Sequence, residues 1–196
     1  MRPRLVAGVI ACGSSIMLAG CAAGIGSSPT PGPSPPQAAS PIPSVKNPRD
    51  VAAMARRPCE LLTSQQATAF GLDLPPKQRD GLLGTLDCKW TRTTREREVT
   101  RTVDLSMFTN NSTLETGYTQ DQNRPSFELT EIAGYPALVS RPLVDEPICD
   151  IDVKAAERQS VSVTYESEEL KNNPQLACEV GKKVTAAVLM NLPPKS

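Results

Sequence analysis

The chain has 196 residues, enough for one ordinary domain beside an export signal and a linker, and two stable domains are not expected. Lys and Arg together number 21, as do Asp and Glu, so no basic excess points to nucleic acid, whose binding rests on clustered cations neutralising phosphate. Histidine is absent and aromatic residues make up 4%, which excludes His-based triads and His-ligated zinc and leaves little for stacking on bases or sugars.

Residues 1–20 read as an export signal. Arg2 and Arg4 form a cationic start, and the apolar stretch from Leu5 to Leu18 is too short and too interrupted by Gly and Ser to span a membrane comfortably. It ends in Leu18-Ala19-Gly20-Cys21, which resembles the bacterial lipobox: small residues admit a peptidase to the bond before a cysteine that carries diacylglycerol. The expected product is cut before Cys21 and held at the extracytoplasmic face of the cell membrane by acyl chains, palmitate among them, on that cysteine. Two or more chains anchor stably, since burial contributes about 0.8 kcal/mol per methylene. An ordinary secretory signal or an uncleaved helix is the alternative. Cys12 lies inside the apolar run, lacks the small-residue context that precedes Cys21, and is expected to leave with the signal.

From Ala22 to about Asp50 the sequence is nearly all Ala, Gly, Ser and Pro, with Pro29, Pro31, Pro33, Pro35, Pro36, Pro41, Pro43 and Pro48. Such a segment buries too little apolar surface to offset its ordering entropy, so residues 21–50 are expected to form a disordered linker with local polyproline II stiffness. A spacer is the simpler role; a Pro-rich ligand for a partner is the rival.

Residues 51–196 are expected to form the extracytoplasmic domain. Pro58 to Leu62 opens a helical turn, and Thr63-Ser64-Gln65-Gln66 has the form of a capping box for a helix that Gly71 ends. Leu86 to Trp90 and the alternating Val99, Val103, Leu105 and Met107 predict two strands around the charged turn Arg95-Glu96-Arg97-Glu98. Asn110 to Tyr118 allows a short helix begun by Ser112. Phe127 to Ile132 and Ala137 to Arg141 predict a hairpin around Gly134-Tyr135-Pro136. Ile148 to Val153 and Val161 to Tyr165 supply two more strands around Glu157-Arg158-Gln159. Asn173 as N-cap and Pro174 at the first helical position open a last helix with Leu176, Val180, Val184, Ala187, Val188 and Asn191 at helical spacing, stopped by Pro193-Pro194. The fold class expected is α+β: a mainly antiparallel sheet of about five to six strands with N- and C-terminal helices packed on it.

Four cysteines remain in the domain, Cys59, Cys88, Cys149 and Cys178, and an exported setting permits oxidation. Three connectivities are open. Cys59 with Cys88 and Cys149 with Cys178 is favoured, because each pair joins a terminal helix to a nearby strand. Neither C-x-x-C spacing nor His is present, so metal and redox roles are poorer fits.

The lipobox, the Pro-rich linker and then Pro58-Cys59-Glu60-Leu61-Leu62-Thr63, Cys88-Lys89-Trp90, Gly134-Tyr135-Pro136-Ala137, Cys149-Asp150-Ile151-Asp152-Val153 and Cys178 occur in an order that resembles the actinobacterial lipoproteins grouped as domain of unknown function 3558, DUF3558. The resemblance covers about Val51 to Pro194. It implies an envelope location and no established activity, so it assigns no catalytic residue.

No G-x-S-x-G elbow or S-x-x-K dyad is present. Asp145-Glu146 and Asp150 with Asp152 lack the calcium-loop spacing and its Gly, and read as solvated loop and strand edge. Glu166, Glu168 and Glu169 read as a polar connection. Trp90 is expected to pack on a disulfide, and Tyr135 to anchor a turn. Asn110-Asn111-Ser112-Thr113 matches the glycosylation pattern, which carries little weight in a bacterial lipoprotein. The leading expectation is a non-enzymatic binding module for an envelope protein, a cell-wall component or a small ligand, with no cofactor and no metal. A carrier with an apolar cavity between sheet and helices is the second. An enzyme using Asp or Glu on envelope polymers is the third.

Overall fold

Alternation of apolar and polar residues places one face of each long strand inward, and hydrogen bonding assembles seven strands into one antiparallel sheet in the computed structural model. The structure describes residues 41–196 apart from 74, 95, 97, 112, 124 and 125. The strands are β1 (Lys77–Asp80), β2 (Leu86–Thr93), β3 (Val99–Phe108), β4 (Glu128–Ile132), β5 (Tyr135–Ser140), β6 (Ile148–Ala156) and β7 (Gln159–Ser167). They lie in the order β1-β2-β3-β7-β6-β5-β4, so two meanders meet at the β3–β7 pair. The helices are α1 (Ser64–Ala69), α2 (Thr113–Asp121) and α3 (Leu176–Asn191). The fold is α+β, as expected, but with seven strands rather than five to six.

The strand missed in the sequence is β1. All four of its residues are exposed at the sheet edge, so burial imposes no alternation on Lys-Gln-Arg-Asp.

The core lies on the face carrying Trp90, Val103, Tyr165 and Cys149, which are cross-strand partners in one row. Leu105, Val163, Ile151 and Val139 form the next row. Helix α3 covers this face. Its buried residues are Ala177, Gly181, Val184, Thr185, Val188 and Leu189, not the full stripe expected, and Leu176 is exposed. The small residues at 177 and 181 let the helix backbone approach the strands closely. The helix starts at Leu176 with Gln175 at its N-cap and no side-chain cap bond, so Asn173 and Pro174 precede it. At its far end Asn191 Nδ2 donates to the Leu61 carbonyl (3.0 Å) and to Gln66 Oε1 (2.7 Å), joining α3 to α1.

Helix α1 carries the expected capping box: Thr63 Oγ1 accepts from Gln66 N at 3.2 Å, and Gln66 Oε1 accepts from Thr63 N at 2.9 Å. The β4–β5 turn is Ala133-Gly134, both with positive φ as a two-residue hairpin turn of type I′ requires. Tyr135 and Pro136 therefore belong to β5 rather than to the turn. Likewise Gln159 opens β7. On the second face of the sheet α2 covers β5 to β7, burying Leu114 with Leu138 and Ile42, and Glu115 pairs with the buried Lys154 at 2.8 Å. The residue expected to begin this helix, Ser112, lies outside the described residues.

The last part of the Pro-rich segment packs on the domain. Ile42 is buried, Arg49 N donates to the Ala155 carbonyl (2.8 Å), and Asp50 N donates to the Pro193 carbonyl (2.8 Å). Arg49 also reaches Tyr135 Oη at 2.9 Å and the Leu192 carbonyl at 2.9 Å, while Tyr135 Oη donates to the Asn47 carbonyl at 2.8 Å. The packed part thus includes residues 41–50, and Tyr135 anchors this entering segment rather than a turn.

Candidate functional site

Because α2 covers only β5 to β7, the second face of β1, β2 and β3 and the start of β6 is left open. Strand period 2 puts Lys77, Lys89, Asp104, Thr164 and Asp150 in one row across five strands. Thr91, Thr102 and Glu166 form the neighbouring row. Asp104 accepts from Arg79 Nη2 at 2.8 Å and faces Lys89 Nζ at 3.3 Å. Thr164 Oγ1 donates to Asp150 Oδ1 at 2.7 Å, and Thr102 Oγ1 to Glu166 Oε2 at 3.5 Å. These contacts hold polar side chains in fixed positions on a rigid sheet, as recognition of a polar partner requires. A hollow of about 290 Å³ opens at the edge of this surface, lined by Lys89, Thr102, Glu166 and Glu168.

Two of the larger concavities lie elsewhere. One, of about 600 Å³, lies between α1 and Asp73, Pro75 and Pro76, with Leu62, Leu72 and Trp90 as apolar lining and Glu60 and Asp73 as acidic lining. Trp90 is buried beside Cys88, as expected for a tryptophan packed on a disulfide, although it also contributes to this groove. The other, of about 410 Å³, lies at one end of the sheet between Arg56, Thr85, Met107 and Asn110.

At the opposite end, Arg101 ties α1 to the sheet. Its Nη1 donates to the Phe70 carbonyl at 2.6 Å and its Nη2 to Glu169 Oε2 at 2.5 Å, and Glu169 also pairs with Arg92 at 3.3 Å. Burial pushes the Tyr165 hydroxyl above the usual tyrosine range, while the Arg101 charge works against that shift. These groups brace the fold: Glu169, read from the sequence as part of a polar connection, instead bridges two arginines.

The expected site residues fall as follows. Cys59 bonds Cys88 and Cys149 bonds Cys178, the pairing favoured from the placement of the four cysteines. Cys59 sits in a 3-10 turn, Pro58–Leu61, and Cys178 in α3, so each bridge fastens a helical element to a strand. Cys12 and Cys21 lie outside the described residues. Among the described residues no three His, Cys, Asp or Glu side chains gather where a metal ion would sit, and no helix is long and apolar enough to cross a membrane. Asp150 and Asp152 alternate on β6 on the second face, where Asp150 is taken up by Thr164. The Arg79–Asp104 contact escapes sequence reasoning because it depends on β1, which has no apolar alternation to betray it.

A family model described as "Protein of unknown function (DUF3558)" matches residues 16–191. No curated protein and no solved structure matches the chain.

Proposed function

The chain belongs to the DUF3558 family of proteins of unknown function, and from that membership we propose that it is a membrane-anchored envelope protein acting as a non-enzymatic binding module. The anchor is lipid on Cys21, supported by the cationic start, the apolar run and the lipobox-like Leu18-Ala19-Gly20-Cys21. The residues between Cys21 and Pro41 serve as a tether, whose reach at about 3.1 Å per residue is at most roughly 60 Å.

The observation that carries the binding role is the open half of the sheet. Its side chains are polar, mutually hydrogen-bonded and displayed on strands rather than loops, with Arg79, Lys89 and Asp104 joined across β1, β2 and β3. Such a surface suits a partner rich in hydrogen-bonding groups, an envelope protein or a cell-wall polymer, better than an acyl chain. A lipid carrier would need an apolar space between sheet and helices. The close approach of Gly181 to Ile151 and Tyr165 supports the surface reading over that one.

Photo-crosslinking in intact cells tests the proposal. A crosslinking side chain at Ser106, on the open face, is expected to trap a partner that the same group at Lys183, on α3, does not. No adduct from Ser106, or equal adducts from both positions, would overturn it.

A further inference from the structure

We infer that one end of the sheet, carrying Leu82 on a hydrogen-bonded loop and the cations Lys46, Arg56, Arg158 and Lys195 along the same end, rests on an anionic lipid surface. The β1–β2 connection is Gly81-Leu82-Leu83-Gly84-Thr85, and Leu82 is 86% exposed, the most exposed of the large apolar side chains described. The loop that lifts it is fixed. Thr85 Oγ1 lies 2.9 Å from both the Leu82 carbonyl and Asp87 Oδ1, which share its one hydrogen, and Gly81 N donates to the Thr85 carbonyl (2.9 Å). Gly81 lies so close to the Asp87 carboxylate and the Thr85 hydroxyl that a Cβ there has no room, and Gly84 holds a positive φ. An apolar tip held out by ordered hydrogen bonds is a different object from a leucine on a loose loop.

Asp80 and Asp87 flank the Leu82 loop itself, and the basic groups lie along the rest of this end of the sheet. Arg56 lines the same hollow as Gly84 and Asn110. Arg158, in the β6–β7 turn, donates from Nε to the Asn110 carbonyl at 3.2 Å. Lys195 lies beside Glu157 in one shallow cleft and beside Lys46 in the next. None of these four cations forms an ion pair among the described residues, whereas Glu157 is taken by Lys154 at 3.7 Å and Asp50 by the Ala53 amide at 3.2 Å. At the other end of the strands the cations are paired: Glu169 is shared by Arg92 and Arg101, Glu168 pairs with Lys171, and the β5–β6 loop adds Asp145 and Glu146 beside Arg141. An apolar tip and unpaired cations presented at one end of a sheet form the pattern by which a domain seats on anionic headgroups, with the field falling away within a Debye length.

The anchor proposed above keeps the domain within reach of a bilayer, and the inference rests on that reading for proximity alone. Lys46 is the nearest of the four to the tether in sequence.

The test uses the full chain in vesicles of phosphatidylcholine bearing brominated acyl chains, with and without phosphatidylglycerol. Trp90, the single tryptophan, is 1% exposed and serves as an unquenched background. L82W is expected to be quenched several-fold more than V144W, placed at the other end of the sheet, and only when phosphatidylglycerol is present. Salt at about 1 M, where the Debye length is near 3 Å, is expected to abolish the difference. So is the triple variant K46E/R56E/K195E, all at exposed positions, with intact disulfides by mass as the folding control. Equal quenching at both ends, or none at L82W, overturns the inference. So does protection of L82W in native envelopes without quenching in vesicles, which would report a protein contact. Acylation of Cys21 is read separately by mass: an acylated chain with L82W unquenched overturns the lipid-facing end, while an unacylated chain with L82W quenched upholds it and overturns the anchor.

Discussion

Gly181 brings the backbone of α3 against Ile151: an added Cβ would stand 2.9 Å from Ile151 Cδ1 and 3.2 Å from Tyr165 Cβ. The helix is therefore seated on β6 and β7 at a distance that only a missing side chain permits, next to the bridge from Cys149 to Cys178.

Gly181→Ala sets two effects against each other. Alanine favours a helix interior over glycine by up to about 1 kcal/mol. Overpacking a tight contact costs about 1–3 kcal/mol, and burial on both sides leaves little space for relief. A net loss of about 1 kcal/mol is expected in urea unfolding; equal or higher stability would show that α3 can lift from the sheet at no cost.

Each disulfide closes a separation of 29 residues. In the chain-entropy model each should contribute about 3–4 kcal/mol, and equal loop size makes the entropic parts equal. Replacing either pair by alanine, C59A/C88A or C149A/C178A, is expected to lower the unfolding free energy by that amount. Losses below about 1 kcal/mol for both pairs would mean that the reduced chain stays compact around the same contacts.

Tyr165 links stability to alkaline pH. Its hydroxyl is held above the unfolded value of 10.0, chiefly by burial. The unfolded chain loses this proton first, so the stabilisation is complete below pH 10.0 and is lost as pH rises through the folded pKa. In Tyr165→Phe the corresponding loss is absent. Unfolding midpoints measured across pH 8 to about 11 should show a constant difference between the two proteins at the lower end and a shift in favour of the variant above it. A difference that stays flat over the whole range would remove Tyr165 from this role.

Strands β2, β3, β6 and β7 were legible because each has one face in the core, and burial writes a period of two into residues such as Val103, Leu105 and Met107. Local chemistry was legible too: Thr63 and Gln66 are three residues apart and cap the helix they were expected to cap. What local sequence hides is contact made at long range. Arg49 reads as the tail of a Pro-rich linker until Leu192 and Tyr135 are beside it. Gly134-Tyr135-Pro136 reads as a turn because Gly and Pro punctuate loops, yet the buried Tyr135 pairs with Ile132 and draws Pro136 into the strand. The open polar face was legible as alternation, in Asp104 and Thr164 for instance. Its Arg79–Asp104 contact was not, because Arg79 arrives on a strand with no apolar residue.

The order β1-β2-β3-β7-β6-β5-β4 divides the sheet at the β3–β7 pair, where Phe108 meets Ser160 and Arg101 meets Ser167 across a long stretch of intervening chain. Both cysteines of one bridge precede that seam in the sequence, and both of the other follow β3, so neither covalent link crosses it. Oxidation of each half therefore depends only on residues close in sequence. Joining the halves is the high-contact-order step, the one that sets how fast the chain folds.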